Sequence, residues 1–446
     1  MKASYSDVVA FGLALFSLFF GAGNFIFPPL LGQMAGEHLG IALIGFVVTA
    51  VGMPLLGVLV VSLIGSPDPQ TLPSRVNKRF ALIMMTLINL TIGPVFAIPR
   101  TGAVAFDAGI KPFITNPDWV TAGLLIYSLL FFGASYYIAL NQQSITERVG
   151  KILTPGLLIS LALLVVNAFL QPAGKLQPAL GNYQTMPLSE GFKAGYLTMD
   201  TLASIVFGVL MLNIIRSKGI TSRRETLRFG LGASFIAASC LMLIYVSLAY
   251  LGATSLEVAG KAENGGMILA WAANYYFGTL GNVILAISFT LACLTTSIGL
   301  MCSSATFFTT IFPKMMYEKC VLWIAVFACL VANVGLTKLI AISIPVLVLL
   351  YPVVIVLIAL AFVHNFVNLA PKVYQLSVGV TVIMGLIEAV NALELNISFI
   401  NSFLAKILPL YNQGFGWVVP AIIAAIIGYF IAADNGSGME ENTFSL

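Results

Sequence analysis

A run of backbone-disrupting residues interrupts the first apolar segment of the chain. Residues 21–29 read Gly-Ala-Gly-Asn-Phe-Ile-Phe-Pro-Pro. Glycine permits unusual backbone angles, whereas proline lacks an amide donor and disfavours helix in the residue before it. A broken membrane helix exposes amides and carbonyls, which are tolerated only beside a cavity, a ligand or other protein. We therefore expect an unwound centre between two half-helices that binds ions and zwitterions, with a simple kink as the alternative.

A weaker signal of the same kind lies in the sixth apolar segment. Residues 199–208 read Met-Asp-Thr-Leu-Ala-Ser-Ile-Val-Phe-Gly. Ser204 and Gly208 predict a second break built from small residues, although a small-residue packing face explains the same pair equally well. The position favours a break, because this segment corresponds to the first one if spans 1–5 and 6–10 form two repeats. An odd number of helices inverts the second repeat, which is the physical basis of alternating access.

Three consecutive hydroxyl side chains lie in the eighth apolar segment. Thr295, Thr296 and Ser297 follow Ala292 by about one helical turn. Such residues usually bond back to a preceding carbonyl of their own helix. Neutral hydroxyls with unpaired carbonyls are also suitable ligands for a hard cation such as sodium. We expect a cation site here, with back-bonding as the alternative.

Two ionisable side chains lie inside predicted spans. Arg100 is in the third apolar segment and Asp200 in the sixth. An isolated charge in a bilayer costs several kcal/mol, so each should meet a partner or a wet cavity. We expect the two side chains to lie near the outer vestibule and to pair, with a purely structural role as the alternative.

The elements that hold these groups must be membrane helices. The 446 residues are 59% hydrophobic and only 9% charged, whereas a soluble protein carries about 25% charged residues. Lipid must therefore be the solvent for most of the surface. The net charge of +4 is spread over loops and gives no nucleic-acid footprint. Five cysteines and two histidines, without close spacing, predict buried thiols and no metal cluster.

The apolar segments predict about twelve transmembrane helices, since each needs about 20 mostly apolar residues. The predicted spans are 7–35, 41–64, 80–106, 119–140, 150–170, 194–215, 229–252, 279–311, 320–336, 338–364, 374–393 and 414–433. Segment 264–276 predicts a short helix at the outer surface instead. Proline at 155 in the fifth span, and at 345 and 352 in the tenth, suggests bending elements at matching places. The loops are too short for a separate soluble domain.

The distribution of basic residues predicts the orientation. If the N-terminus lies inside, the inner segments hold fourteen Lys and Arg and the outer segments hold six, with Arg100 set aside as intramembrane. Basic residues accumulate in cytoplasmic loops. Both termini are therefore expected in the cytoplasm.

Three stretches resemble the bacterial branched-chain amino acid carriers, which are cation symporters for leucine, isoleucine and valine. They are residues 16–29, 92–101 and 195–200, and the resemblance extends over nearly the whole chain. It implies an all-α inner-membrane protein with the five-plus-five inverted repeat typified by LeuT, broken helices 1 and 6, and two further helices. Repeat one is expected at about 7–170, repeat two at about 190–364, and the extra helices at about 374–433.

The resemblance also implies a binding site. The amides of Ala22 and Gly23 would face the substrate carboxylate. Asn24 matches a ligand of a second sodium site known in part of the fold, or else ties the broken helix together. The shared sodium site would use the carbonyls and hydroxyls of Ser17, Phe20, Ala292, Thr295 and Thr296, with Ser297 replacing a threonine if the register shifts by one.

The substrate pocket is completed by groups on both broken helices. Carbonyls around Phe19 and Ser204 are expected to bind the ammonium group, while Phe96 and Phe207 are candidate walls for the aliphatic side chain. The expected function is sodium-coupled import of leucine, isoleucine and valine, without an organic cofactor. A proton-coupled carrier, an exchanger or a sensor of the same fold remains the alternative. No nucleophile elbow, catalytic cluster, repeated filter or charged ring indicates an enzyme or a channel.

Overall fold

The computed structural model describes residues 5–140, 159–217, 219–220, 222–395 and 397–434. These residues form helices and connecting turns, without a β-strand among them. The all-α class is therefore confirmed. The predicted Pro155 bend of the fifth span lies outside the described residues.

The described residues of the first half form six main helices. They are α1 (Tyr5–Phe19), α2 (Ala22–Ala35), α3 (39–64), α4 (Lys78–Phe113), α5 (Trp119–Ala139) and α6 (Ile159–Leu170). A π-helical turn at Val48–Gly52 lies within α3. Helix α4 is kinked at Gly93, next to Pro94, where φ is −97° and ψ −123°.

The second half continues the series after a long connection. Its helices are α7 (Pro187–Tyr196), α8 (Asp200–Ser217), α9 (Arg223–Ala259), α10 (265–277), α11 (279–311), α12 (Tyr317–Ala332), α13 (Leu336–His364), α14 (Pro371–Ala392), α15 (Ser398–Ile407) and α16 (Val418–Asp434). Gly278, with φ +61°, separates α10 from α11. Segment 264–276 is thus a helix of its own, although its first residues are buried.

Seven stretches of the described chain are long and apolar enough to cross a bilayer, and α7 with α8 makes an eighth if the bent pair counts as one span. Helices α1, α6 and α16 are apolar but shorter in their described parts. Multiple membrane spans are therefore established, and the number twelve stays a prediction.

The first and sixth spans are both interrupted, as predicted. Helix α1 ends at Phe19 and α2 begins at Ala22, so the first break falls on residues 20–21. The second break falls on residues 197–199, where α7 and α8 meet at a bend of 46° and Met199 adopts φ +65°. The second break was expected at Ser204 and Gly208, and that position is wrong.

Ser204 and Gly208 instead form a packing face of α8 against α3. A Cβ atom on Gly57 of α3 would lie 2.0 Å from Ser204 Oγ, and one on Gly208 would lie 2.9 Å from Val61 Cβ. The other half of the same span packs equally closely, since a Cβ on Gly191 of α7 would lie 1.9 Å from the carbonyl oxygen of Ala42. Small residues let membrane helices approach closely, which was the alternative interpretation of this pair.

Helices of spans one and seven cross in the same way. A Cβ on Gly32 of α2 would lie 1.8 Å from the carbonyl oxygen of Ala249 on α9. A Cβ on Gly252 of α9 would lie 1.9 Å from the carbonyl oxygen of Pro29. Span one packs on span seven as span six packs on span two. This pairing is expected if spans 1–5 and 6–10 are two repeats with inverted topology.

Candidate functional site

The break between α1 and α2 leaves main-chain groups without their helical partners. In a continuous helix the Gly21 and Asn24 amides would bond to the carbonyls of Ser17 and Phe20. Here the Gly21 amide donates to Asn24 Oδ1 at 2.9 Å, and the Asn24 amide donates to the Gly21 carbonyl at 3.0 Å. Asn24 thus holds the broken helix together, and both carbonyls expected at the sodium site lose their regular donors.

The side-chain amide of Asn24 also reaches the second broken helix. Its nitrogen donates to Asp200 Oδ2 at 2.6 Å and to the hydroxyl of Tyr245. The Tyr245 hydroxyl in turn donates to Asp200 Oδ2 at 3.3 Å. Because Asp200 begins α8 and Tyr245 lies on α9, this buried network joins spans one, six and seven.

Arg100 stabilises the second break from α4. Its guanidinium donates to the carbonyl of Leu197 at 2.5 Å and to that of Thr198 at 3.3 Å. A cation at these carbonyls favours the negative end of α7. The guanidinium also lies over the ring of Phe27, with its carbon 5.2 Å from the ring centroid. Its Nε atom is buried without a hydrogen-bond partner.

Arg100 and Asp200 do not form the expected direct ion pair, since no bond within 4.0 Å joins them in the described structure. Both side chains nevertheless line the same cavity, and their charges interact there. The carboxylate accepts hydrogen bonds from Asn24 and Tyr245, and the guanidinium donates hydrogen bonds to backbone carbonyls. A buried cation and a buried anion thus face one space without neutralising each other through contact.

That space, the central cavity, has a volume of about 40 Å³ and lies between the two breaks, α4 and α11. Five of the residues predicted to bind substrate line it, and they are Phe19, Ala22, Gly23, Asn24 and Phe207. The rings of Phe19 and Phe207 are 5.3 Å apart. The cavity therefore combines free backbone donors with an aromatic wall.

Three predicted residues lie elsewhere. Ser204 donates to the carbonyl of Thr201 at 2.7 Å inside a regular helix, so no carbonyl is freed there. Gly208 packs on α3, as described above. Phe96 is buried at the kink of α4, where its carbonyl accepts from the Arg100 amide at 3.0 Å, and it does not line the central cavity.

The hydroxyl cluster of α11 lies against the first break. Thr295 and Thr296 both donate to the carbonyl of Ala292, at 2.8 and 3.1 Å. The back-bonding that was the alternative is therefore present, and it gathers three oxygen atoms at one place. Thr296 also lines the central cavity, with its Oγ1 3.4 Å from a Cβ position on Gly21. Ser297 is buried, and its hydroxyl has no partner.

A wide cavity of about 690 Å³ opens next to the central one. Its walls include Val206 on α8 and Gly299 on α11, whose chain neighbours Phe207 and Leu300 line the central cavity. From there it extends to residues 67–70 and to the end of α11. Adjacent residues of α8 and α11 thus line the central cavity and the wide cavity.

The opposite side is closed by α10. Asn264, at the start of α10, donates to Asp107 Oδ2 on α4 at 2.9 Å. A Cβ atom on Gly265 would lie 1.8 Å from the carbonyl oxygen of Ile26 on α2. Since α10 packs this closely on both helices, it joins the first half of α2 to α4 on this side.

Sequence reasoning missed Tyr245 and the residues of the second break. Tyr245 is one of two tyrosines in a largely apolar helix, the other being Tyr250, and the sequence does not show which of them is buried at the site. Leu197 and Thr198 carry no signal of a break. Among the described residues no group of three or more His, Cys, Asp or Glu side chains could hold a transition metal.

The chain is similar in sequence to known transport proteins. The family model described as branched-chain amino acid transport protein matches residues 4–435. The chain is 42% identical over 431 residues to the branched-chain amino acid permease BrnQ of Bacillus subtilis, covering 97% of this chain and 98% of that one. It is 42% identical over 421 residues to the branched-chain amino acid transport system 2 carrier protein of Pseudomonas aeruginosa, covering 94% and 95%. These relatives are permeases and carriers, not enzymes.

Solved structures share the fold at low sequence identity. The inward-facing conformation of Mhp1 superposes with a TM-score of 0.61 at 14% identity, covering 95% of this chain and 91% of the other. MhsT in complex with L-phenylalanine gives a TM-score of 0.57 at 16% identity, covering 96% and 99%. The LeuT-type fold is therefore confirmed.

Proposed function

We propose that this chain, which belongs to the branched-chain amino acid transport protein family, imports leucine, isoleucine and valine together with sodium. The observation that carries the proposal is the meeting of both helix breaks at one cavity beside the hydroxyl cluster of α11. Breaks of this kind supply ion and zwitterion ligands in secondary transporters. In this proposal the protein lies in a bacterial inner membrane and both of its termini are in the cytoplasm.

The substrate carboxylate is assigned to the start of α2. The Ala22 and Gly23 amides are the first two of that helix, so they have no helical acceptor and lie at its positive end. Arg100 approaches the same point, since a Cβ on Gly23 would lie 2.7 Å from its guanidinium. Donors and positive charge therefore converge on one side of the central cavity.

The substrate ammonium is assigned to the opposite side. Asp200 places a buried carboxylate there, and its Oδ2 atom is held by Asn24 and Tyr245. The Phe19 carbonyl is free, because the Gly23 amide that would bond to it is the second amide of a new helix. A fixed carboxylate and a carbonyl suit an ammonium group.

The aliphatic side chain is assigned to the wall formed by Phe19, Phe207 and Leu300. Burying a leucine-sized side chain contributes roughly 1.5–3 kcal/mol. One methylene group discriminates by only about 1–3 kcal/mol, so the three branched substrates are accepted as a class. The present volume of 40 Å³ is far below that of ligand pockets, which begin near 300 Å³. Substrate binding must therefore separate these walls.

Sodium is assigned to the carbonyls of Ser17 and Phe20 together with the oxygens gathered at Ala292 on α11. Binding an ion between α1 and α11 stabilises the geometry of the break that binds the substrate. One charge crossing a potential of about 100 mV releases about 2.3 kcal/mol, which supports close to fiftyfold accumulation.

The structure corresponds to the inward-facing state in this proposal. The wide cavity reaches residues 67–70 and the end of α11, which the distribution of basic residues places in the cytoplasm. The seal formed by Asp107 and Asn264 lies at the opposite end. Inward and outward states would alternate as these two ends open in turn.

Uptake into proteoliposomes tests the coupling ion. Radiolabelled leucine should accumulate when sodium is imposed outside at constant pH, and should not when choline replaces it. Equal uptake in choline would refute sodium coupling while leaving the transport of branched-chain amino acids standing.

Proton coupling is the second candidate, because Asp200 is a buried carboxylate at the meeting point of three spans. A carboxylate in such a place can carry a proton through the membrane. An imposed acid-outside gradient, with no sodium on either side, would then drive leucine accumulation. Without such accumulation the proton-coupled alternative fails.

A further inference from the structure

A third cavity lies away from the transport path, between the outer half of the sixth span and the C-terminal helices. It has a volume of about 280 Å³ and is bounded by α7, α13, the end of α14 and the loop before α16. We call it the C-terminal cavity. Its walls are far more polar than those of a lipid-facing crevice, since Lys193, Glu388 and three asparagines line it.

Two donors buried in the walls of this cavity lack acceptors among the described residues. The Tyr196 hydroxyl and the Trp417 indole N–H both line it, and neither has a hydrogen-bond partner. The two side chains are 3% and 6% exposed. They lie near one another without hydrogen-bond geometry between them. A buried unsatisfied donor costs about 1–3 kcal/mol, so an acceptor reaching both groups would be stabilised.

The cavity also holds an unbalanced carboxylate. Lys193 is paired with Glu190 at 2.6 Å, which neutralises it. Glu388 has no ion pair and no hydrogen bond to another described residue. The pair of Lys193 and Glu190 cancels, so one negative charge remains at Glu388 and favours a cationic group beside it.

Asn391, Asn401 and Tyr411 in the wall bond to one another. The Asn401 side-chain amide donates to Asn391 Oδ1 at 2.8 Å, and the Tyr411 hydroxyl donates to Asn401 Oδ1 at 2.7 Å. This network holds the loop in place and leaves Glu388, Tyr196 and Trp417 as the groups that await partners. One acceptor and two donors, in a space of about 280 Å³, are complementary to a small molecule with an ammonium and a carboxylate group.

We propose that the C-terminal cavity is a second binding site, separate from the central one, for a free α-amino acid. The ammonium group is bound by Glu388, and the carboxylate is bound by the Tyr196 hydroxyl and the Trp417 indole. The site contacts the transport machinery through Tyr196, the last residue of α7. Its ring stacks on Tyr351 of α13 at 4.4 Å, and the second helix break follows directly after it.

Fluorescence of Trp417 in the purified full-length chain tests the site. The background variant carries Phe at Trp119, Trp271 and Trp323, so that Trp417 is the remaining tryptophan. L-Leucine should shift its emission saturably. Leucinol, which lacks the carboxylate, and 4-methylpentanoate, which lacks the ammonium, should not. A response to leucinol equal to that of leucine would overturn the assignment of an amino acid.

Glu388→Gln should abolish the shift while sodium-dependent uptake into proteoliposomes persists. Glu394→Gln is the matched control, because this exposed carboxylate lies two residues beyond the end of α14 and outside the cavity, so the shift should be unchanged. Tyr196→Phe, which keeps the ring stacking, should weaken leucine binding by about tenfold. A full leucine-induced shift in Glu388→Gln would mean that Trp417 reports only the central site, and would refute the proposal. A saturable shift in a chain with Glu388 intact that shows no sodium-dependent leucine uptake would refute the proposed transport function and leave the second site standing.

Discussion

The side-chain nitrogen of Asn24 and a carboxylate oxygen of Asp200 lie 2.6 Å apart, across the gap between the two broken helices. The same asparagine bonds to the Gly21 amide through its oxygen. One side chain thus fixes the geometry of its own break and connects it to the other. Any movement of α8 relative to α2 must change this contact, which makes the pair a reporter of the transport cycle.

Removing the charge at Asp200 should impair leucine transport severely. In Asp200→Asn the central cavity loses its anion, and Asn24 loses a charge-assisted bond, which is worth about 1.5–3 kcal/mol. We expect kcat/KM for leucine uptake to fall at least about tenfold. Asp118→Asn, on an exposed loop, is the control and should transport normally. Wild-type uptake by Asp200→Asn would exclude the carboxylate from substrate and ion binding alike.

The register of the sodium site can be tested at Thr296. Thr296→Ala removes one oxygen beside the first break, so the sodium concentration for half-maximal uptake should rise about tenfold. Thr310→Ala, about four turns along the same helix and bonded to the carbonyl of Thr306, should leave it unchanged. If sodium dependence were unaltered in Thr296→Ala and raised in Ser297→Ala, the alternative register would be correct.

Cys302 reports the open side of the cavity. It lines the wide cavity and is partly exposed, whereas Cys293 is buried. A maleimide that does not cross membranes should label inside-out vesicles at Cys302, and Cys302→Ala should abolish most of that labelling. Asp107→Ala removes the bond to Asn264 and should favour the outward-facing state, so labelling of Cys302 should slow several-fold. Faster labelling in Asp107→Ala would contradict the assigned sides.

Glycine contacts between helices should matter for stability. In Gly32→Ala the new methyl group would meet the carbonyl of Ala249 at 1.8 Å, and overpacking of this kind costs about 1–3 kcal/mol. The thermal unfolding midpoint in detergent should therefore fall. Gly40→Ala, where a Cβ has no neighbour within 4 Å, should not lower it. Equal midpoints in the two variants would mean that α2 and α9 can move apart without loss.

The first break was predictable because its causes are local. Gly21 and Gly23, with two prolines a turn later, weaken the helix in their own sequence. The second break was misplaced because residues 197–199 contain neither glycine nor proline, and Met199 adopts a positive φ that leucine-like residues rarely adopt. The carbonyls exposed there are stabilised by Arg100, which is about a hundred residues away in sequence. No local pattern contains that information.

The small residues of α8 illustrate the opposite error. Ser204 and Gly208 were interpreted as a break because both are small residues. In the structure they pack against α3 within a regular helix. Composition was sufficient for the membrane class, since it follows from the chemistry of the solvent. Which helix faces touch depends on three-dimensional packing, and a single sequence does not distinguish a packing glycine from a hinge glycine.

The glycine contacts have a mechanical consequence. Because α2 packs closely on α9, and α7 and α8 pack closely on α3, none of these three segments can swing independently of its neighbour. Conformational change then has to occur as a rotation of these helix pairs relative to the other helices. The moving surfaces are the side-chain contacts around the pairs, and the close backbone contacts within each pair are kept. A transport cycle of that kind leaves the closest helix contacts intact. The energy barrier of the conformational change is then determined by the looser contacts around the moving helices.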